Sequence, residues 1–270
     1  MIALVTGANQ GIGFALVEEL AARLGEDDRI LLTGRNPERV AKAAAQIGGQ
    51  VEGRVLDVTD ADAVAKMAAE LGAVDIVFSN AIGPLTPDRP QSEQVDEFVA
   101  VANGGTHAML RSFGPILRPG GRFIVVASAL GTVDYLDPEL RPLFDNVSLD
   151  QVEDAVASWV AEIHAGTADQ WPQWINIPSK VAQVAAVRAV AAQRREKDIA
   201  DGTLVAAICP GLVDTRASRP WFDAMDKALT PAEAARRVLN FVLADFDPAM
   251  YGELVQFGRV LPWHGKEKKS

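Results

Sequence analysis

The stretch TGANQGIG, Thr6 to Gly13, decides how the rest of the chain is read. It comes after the apolar run MIALVT (1–6) and opens an amphipathic one, FALVEELAARL. Its glycines fall in a GxxxGxG spacing, each with a separate use. Gly7 lets the chain turn, Gly11 allows a ligand close to the backbone, and Gly13 permits tight helix–strand packing. The free N–H groups and the dipole at the start of such a helix can hold a pyrophosphate. Glycines alone are a weak signal, because turns use them everywhere. In a strand–turn–helix context the spacing predicts a nucleotide site made by Gly7, Asn9, Gln10, Gly11, Ile12 and Gly13.

Working outward, short apolar runs alternate with longer amphipathic ones. RILLTG (29–34), GRVLDV (53–58), DIVFSN (75–80), GGRFIVVAS (120–128) and TLVAAICP (203–210) join the first run as buried strands. They are rich in Val, Ile and Leu with little alternation, as parallel strands covered on both faces require. PERVAKAAAQI and ADAVAKMAAEL have helical periodicity, the latter with Asp60 and Asp62 as N-cap and first-turn residues. This order predicts an α/β, doubly wound parallel sheet of Rossmann type in a single domain, with ligands at the carboxyl ends of the strands. Two segments break the rhythm. From about 132 to 174, prolines and the helical stretch SLDQVEDAVASWVAEIHAG read as an insertion containing a helix. From about 216 to 230, a segment including SRPWFDAM reads either as edge packing of Trp221 and Phe222 or as a lid over a pocket.

Composition narrows the class. Hydrophobic residues make up 49% and charged residues 23%, the balance of a soluble globular protein. The net charge of −10 argues against general affinity for nucleic acid or anionic membrane, which need clustered cations. The one tight basic run, KEKK near the C-terminus, reads as a solvated tail. A single cysteine, Cys209, excludes an internal disulfide, and His107, His164 and His264 lack ligand spacing, so no metal is expected. No signal-peptide layout and no apolar run of ~18 residues is found, so a cytoplasmic protein is expected.

The glycine motif, together with three further motifs downstream, resembles the short-chain dehydrogenase/reductase family over nearly the whole chain, to about Gly258. Asp57–Val58 matches the family's adenine-side loop, which implies a carboxylate accepting from the adenine amino group. Asn80–Ala81 matches its NNAG element, with Ser79 and Ile82 as departures. PGLVDT matches its nicotinamide loop. Pro210, Gly211 and Val213 are then placed at the carboxamide and Thr215 at phosphate. At the end of the second strand an acid would bond the ribose 2′-hydroxyl of NAD and repel the extra phosphate of NADP. This chain has Thr33-Gly34-Arg35 and no acid there. Arg35 can make a charge-assisted bond to a 2′-phosphate, so NADP(H) is the expected cofactor. The other reading leaves Arg35 lying along the surface.

The family's chemistry implies four catalytic positions: a serine, a tyrosine, a lysine four residues after the tyrosine, and an upstream asparagine completing a water relay. Ser128 matches the serine and Lys180, in WINIPSK just before the expected helix VAQVAAVRAVAAQ, matches the lysine; the latter also implies a ribose contact. Asn176 stands at the tyrosine position. Aligning Gly105-Thr106 with the family's GT puts Ala102 at the asparagine, with Asn103 one place along. A one-residue offset on a helix turns a side chain by about 100 degrees, which places the relay in doubt.

Hydride transfer to a ketone leaves an alkoxide that needs a proton. Asn176 can donate a hydrogen bond to it but cannot act as the acid at neutral pH. The tyrosines are Tyr135 and Tyr251. Tyr135, seven residues past Ser128, is either packing or an alternative acid. The remaining source is a substrate with a phenol or enol beside its ketone. The long insertion resembles the family's carbonyl-reductase branch, whose members are often monomeric; the assembly state here stays open. Trp159, Trp171 and Trp174 beside a strand-end pocket are compatible with core filling or with a flat aromatic ligand. With the missing tyrosine, they give the chain a resemblance to aromatic-polyketide ketoreductases of antibiotic biosynthesis. The expectation is therefore an NADPH-dependent ketoreductase acting on a small aromatic ketone, with Ser128, Asn176 and Lys180 at the reacting oxygen and ribose. The alternatives are a non-catalytic NADP-binding regulator and a general carbonyl reductase with another acid.

Overall fold

A computed structural model describes residues 1–223 and 225–265. The KEKK run lies outside the described residues. Eight strands form one sheet: β1 (Ile2–Val5), β2 (Arg29–Gly34), β3 (Val51–Val55), β4 (Val74–Ser79), β5 (Leu117–Val126), β6 (Leu204–Ile208), β7 (Leu254–Gln256) and β8 (Arg259–Leu261). Their order is β3-β2-β1-β4-β5-β6-β7-β8. Every neighbouring pair is parallel except the final β7–β8 hairpin. The order reverses between β1 and β4, and the crevice beyond their carboxyl ends is the switch point where such sheets bind ligands.

Helices cover both faces. On one side lie α1 (Gly11–Arg23), α2 (Pro37–Ile47) and α8 (Pro231–Val242), with α1 against both α2 and α8. On the other lie α3 (Ala61–Leu71), the run of α4 (Val95–Val99) and α5 (Gly105–Phe113), and α7 (Asn176–Ala200). The insertion helix α6 (Leu149–Ala165) packs outside α7. Local chemistry sets the boundaries. Asn36 and Asp60 accept from Arg39 and Ala63 backbone N–H groups to start α2 and α3. Ser148 with Gln151, and Thr230 with Glu233, make reciprocal capping boxes on α6 and α8. Because both faces are covered, β1, β4 and β6 are almost wholly buried, which is why their sequences do not alternate.

Three expectations differ from the structure. The third strand is Val51–Val55, two to three residues earlier than expected, since the chain leaves the sheet into the Asp57 turn. The helix carrying Lys180 starts at Asn176, before the lysine, because Pro178 falls in the first turn, where backbone N–H groups have no intrahelical partner. The β7–β8 hairpin has no counterpart among the expected elements. Its two-residue turn, Phe257-Gly258, has positive φ at both positions (50° and 75°), the twist that joins antiparallel strands tightly.

Candidate active site

The glycine loop lies at the switch point. Gly7 has φ +61°, and a Cβ there would lie 2.8 Å from the Cα of Ala81 at the end of β4. A Cβ on Gly13 would lie 2.5 Å from the Asn80 amide nitrogen. That amide donates to the Thr6 carbonyl at 2.9 Å, while the Thr6 hydroxyl accepts from the Asn80 and Ala81 N–H groups at 2.9 and 3.0 Å. Asn80 and Ala81 therefore brace the loop from β4. Gln10 makes no side-chain cap on α1, and the first turn holds no acid, so its N–H groups and dipole face outward uncompensated. Thr215 also reaches this point: its Cγ2 would be 3.8 Å from a Cβ on Gly11. A cradle of this kind, open at the helix start and held by close backbone approach, fits a dinucleotide pyrophosphate.

At the neighbouring strand end, Asn9 Oδ1 would lie 3.0 Å from a Cβ on Gly34, so the Asn9 side chain packs close over that strand end. Arg35 comes next, half exposed, and pairs loosely with Glu97 at 3.4 Å. Asp57 accepts from the Thr59 N–H and hydroxyl at 3.0 and 2.8 Å through Oδ1, and Val58 is buried against Gly105. In the loop after β6, Val213 is buried and its carbonyl accepts from the Ser218 hydroxyl at 2.5 Å. Gly211 has φ +85°, with the tip of the Phe257 ring against it.

The other candidate side chains lie just after β5 and at the start of α7, elements that touch. Ser128 caps a short 3-10 turn after β5, its hydroxyl accepting from Leu130 N–H at 3.2 Å. That turn touches α7 through Gly131, where a Cβ would lie 2.9 Å from the Lys180 carbonyl oxygen. Asn176 and Lys180 stand one helical turn apart on α7, so they share a face. Among the described residues, the Asn176 amide has no hydrogen-bond partner. Lys180 is 6% exposed. Its ammonium donates to Gln183 Oε1 at 2.7 Å and to the Val126 carbonyl at 3.4 Å. Burial pulls the Lys180 ammonium down to about 8, partly offset by the Cys209 thiol at the end of β6.

Residues Ala100–Gly104 form a π turn between α4 and α5, and Asn103 within it bonds to α7. Asn103 is fully buried; its amide donates to the Ser179 carbonyl at 3.0 Å, and its oxygen accepts from the Ser179 hydroxyl at 2.7 Å. Asn103 thus anchors the turn that carries Lys180. Gln183 joins the site without any sequence signal, because an unexceptional helical glutamine gives none.

The aromatic residues divide. Trp159 and Trp171 are buried against each other at 5.7 Å, and Phe144 packs on Trp171. They fill the core of the insertion and do not face a ligand, because α6 needs an apolar seam of its own. Trp174 instead stacks on Trp221 at 5.2 Å and meets Phe222 edge-on at 6.0 Å. The segment after β6 thus reaches over to the residue two before Asn176. Of the tyrosines, Tyr135 is 46% exposed on a 3-10 turn, while Tyr251 is buried, donating to Asp198 at 2.8 Å. Burial and the Asp198 carboxylate push the Tyr251 phenol upward, away from any role as an acid.

Among the described residues, no group of three His, Cys, Asp or Glu side chains could hold a metal, and no helix is long and apolar enough to cross a membrane. Residues 1–137 match the model of the short chain dehydrogenase family. The chain is 27% identical over 280 residues to carbonyl reductase [NADPH] 1 of Sus scrofa, covering 97% of this chain and 94% of that protein. It is 28% identical over 282 residues to carbonyl reductase [NADPH] 3 of Homo sapiens, covering 97% and 98%. Among solved structures, salutaridine reductase from Papaver somniferum superposes with a TM-score of 0.77 at 20% identity, over 94% of this chain and 98% of that one.

Proposed function

This chain belongs to the short chain dehydrogenase family, and on that premise we propose that it reduces an aromatic ketone whose own neighbouring hydroxyl supplies the proton. It is an NADP(H)-dependent oxidoreductase acting on a C=O/CH–OH pair. The finer reading is a ketoreductase of aromatic polyketide biosynthesis. Its substrate is an angucyclinone-type ketone, as for the angucyclinone 7-ketoreductase of simocyclinone biosynthesis, which this residue set resembles. The observation that carries the reading is Asn176, one helical turn before Lys180, with no tyrosine buried beside it.

Bound NADPH supplies a hydride to the carbonyl carbon. The glycine loop and Thr215 would hold its pyrophosphate, Arg35 its 2′-phosphate, the Asp57–Val58 turn its adenine, and the Pro210–Thr215 loop its nicotinamide end. Lys180 contacts the nicotinamide ribose. Asn176 and Ser128 donate hydrogen bonds to the substrate oxygen as it becomes an alkoxide, support that is typically worth ~2.7–4 kcal/mol per donor. Neither can surrender a proton at neutral pH. A phenol in the peri position, already bonded to that oxygen, passes its proton across and leaves as a phenolate, which solvent then reprotonates. The aromatic wall of Trp174, Trp221 and Phe222 suits a flat polycyclic ligand.

The test is NADPH oxidation with matched polycyclic ketones that carry or lack the peri-hydroxyl. Turnover confined to the hydroxylated ketone is expected, with Asn176→Ala slowing the reaction and Tyr135→Phe leaving it unchanged. Equal turnover without the hydroxyl refutes the substrate-derived proton. A collapse of activity in Tyr135→Phe assigns the acid to Tyr135 instead.

A further inference from the structure

A lysine buried to this degree ordinarily has a carboxylate beside it, and among the described residues Lys180 has none. Its strong bond is to the Gln183 side chain, three residues on along the same face of α7. The other end of that amide donates to the Ala102 carbonyl at 2.8 Å and to the Thr106 hydroxyl at 3.0 Å. Thr106 in turn donates to the Ala102 carbonyl at 2.7 Å. Gln183 is itself 2% exposed, so this chain of bonds is sealed from water. The π turn matters here, since Ala100–Gly104 does not follow the regular α-helical bonding and leaves the Ala102 carbonyl available to a side chain.

We infer that Gln183 is a positioning residue that holds the Lys180 ammonium in place for the cofactor by tying it to the π turn between α4 and α5. A neutral amide stabilises the cation without neutralising it, so the charge stays available to an incoming ribose. The arrangement also closes a proton route. The bonds leading away from the ammonium run through an amide and end on a backbone carbonyl, and neither hands on a proton during turnover. This inference rests on the reading of Lys180 as the ribose contact, and it adds the group that keeps it charged and aimed.

The groups facing Lys180 are few. From the end of β5 comes the Val126 carbonyl, from α7 itself the Gln183 amide oxygen, and from just past β6 the Cys209 thiol. Among the described residues the titratable one is Cys209. Changing Gln183 therefore acts on the lysine with little else able to compensate.

The experiment titrates the lysine side-chain carbons by NMR in the cofactor-free enzyme, assigning Lys180 by its loss in Lys180→Met. The native midpoint is expected near about 8. In Gln183→Leu the ammonium loses its acceptor, and the midpoint falls by about one pH unit or more; in Gln183→Glu a carboxylate faces it, and the midpoint rises by as much. The pH at which NADPH affinity declines is expected to follow the same two directions. A purely structural glutamine lowers thermal stability in both variants and leaves the midpoint unmoved. An unmoved midpoint, or movement in one common direction, overturns the inference. Should Gln183→Leu fail to fold, the Gln183→Glu shift decides alone. Absence of NADPH binding by the native enzyme at every pH would count against Lys180 as a ribose contact, while the lysine titration still judges Gln183.

Discussion

Arg35 gives the most direct test of how this chain distinguishes its two possible dinucleotides. A charge-assisted hydrogen bond is worth about 1.5–3 kcal/mol. Arg35 and its partner Glu97 are 57% and 55% exposed, so solvent and salt hold the contact near the lower figure. About 1.4 kcal/mol is a tenfold change in affinity. Arg35→Ala should therefore weaken NADPH about tenfold and leave NADH, which has no 2′-phosphate to lose, where it was. Glu97→Gln should act the other way. It frees the guanidinium from its loose pair and removes a negative charge from the phosphate's neighbourhood, which should tighten NADPH by a few fold, again without effect on NADH. Calorimetric titration of both nucleotides at two salt concentrations reads all of this. The native NADPH affinity should fall more steeply with salt than that of Arg35→Ala. Equal losses for NADH and NADPH in Arg35→Ala would refute the reasoning, since the arginine would then be supporting the loop and not the phosphate.

Two further outcomes come from the packing. His107 lies buried between α5 and α6, with Glu153 at 3.4 Å, and Arg111 nearby. Burial pulls its imidazole down to about 4 from 6.5, against the Glu153 charge and with that of Arg111. Because the folded value is the lower one, the unfolded chain binds the extra proton first. Native stability is full above about pH 6.5 and is lost as pH falls towards 4. His107→Leu should flatten that part of the urea-midpoint profile, a difference on the order of 3 kcal/mol between its ends, and an unchanged slope would contradict the assignment. Trp221→Ala removes the stack on Trp174, a contact of about 0.5–1.5 kcal/mol. It should raise KM for a polycyclic ketone about two- to tenfold, with kcat and NADPH affinity little changed; a loss confined to NADPH affinity would place Trp221 elsewhere.

The sheet and the nucleotide cradle are legible in the sequence because backbone geometry dictates their residue types. Gly7 and Gly13 are glycines because a Cβ would run into Ala81 or Asn80, and the uniform apolar runs reflect burial on both faces. The features that stay hidden depend on contacts between distant segments. Three residues per strand are too few for a periodic signal in β7 and β8, and Phe257 in a left-handed turn hides a hairpin that Asn-Gly would announce. The bonding of Asn103 to Ser179 is hidden because a π turn has no sequence signature. Trp159 and Trp171 are open in the sequence to either core filling or a pocket wall because they are near the site along the chain, and α6 uses them as its core. Proximity along the chain is a poor guide wherever an insertion brings its own packing.

The altered positions make sense together on the proposed reading. Replacing a phenol with an amide at Asn176 discards an acid but keeps a donor. Around it, Lys180 is fixed through Gln183 to the Ala102 carbonyl, and Ser179 is fixed through Asn103. The bonds leaving the Lys180 ammonium run through the Gln183 amide and the Val126 carbonyl, groups that hold position and do not exchange protons readily at neutral pH. A site of this composition is suited to orienting a ketone and a dinucleotide, and poorly suited to delivering hydrogen from water. Restoring a phenol alone, as in Asn176→Tyr, would supply an acid with no path for reloading it, because the Gln183 amide occupies the space beside the lysine. Single-turnover reduction of a ketone lacking its own hydroxyl should therefore appear in Asn176→Tyr before steady-state turnover does. Steady-state rates matching the single-turnover rate would show that protons reach the site by some route past Gln183.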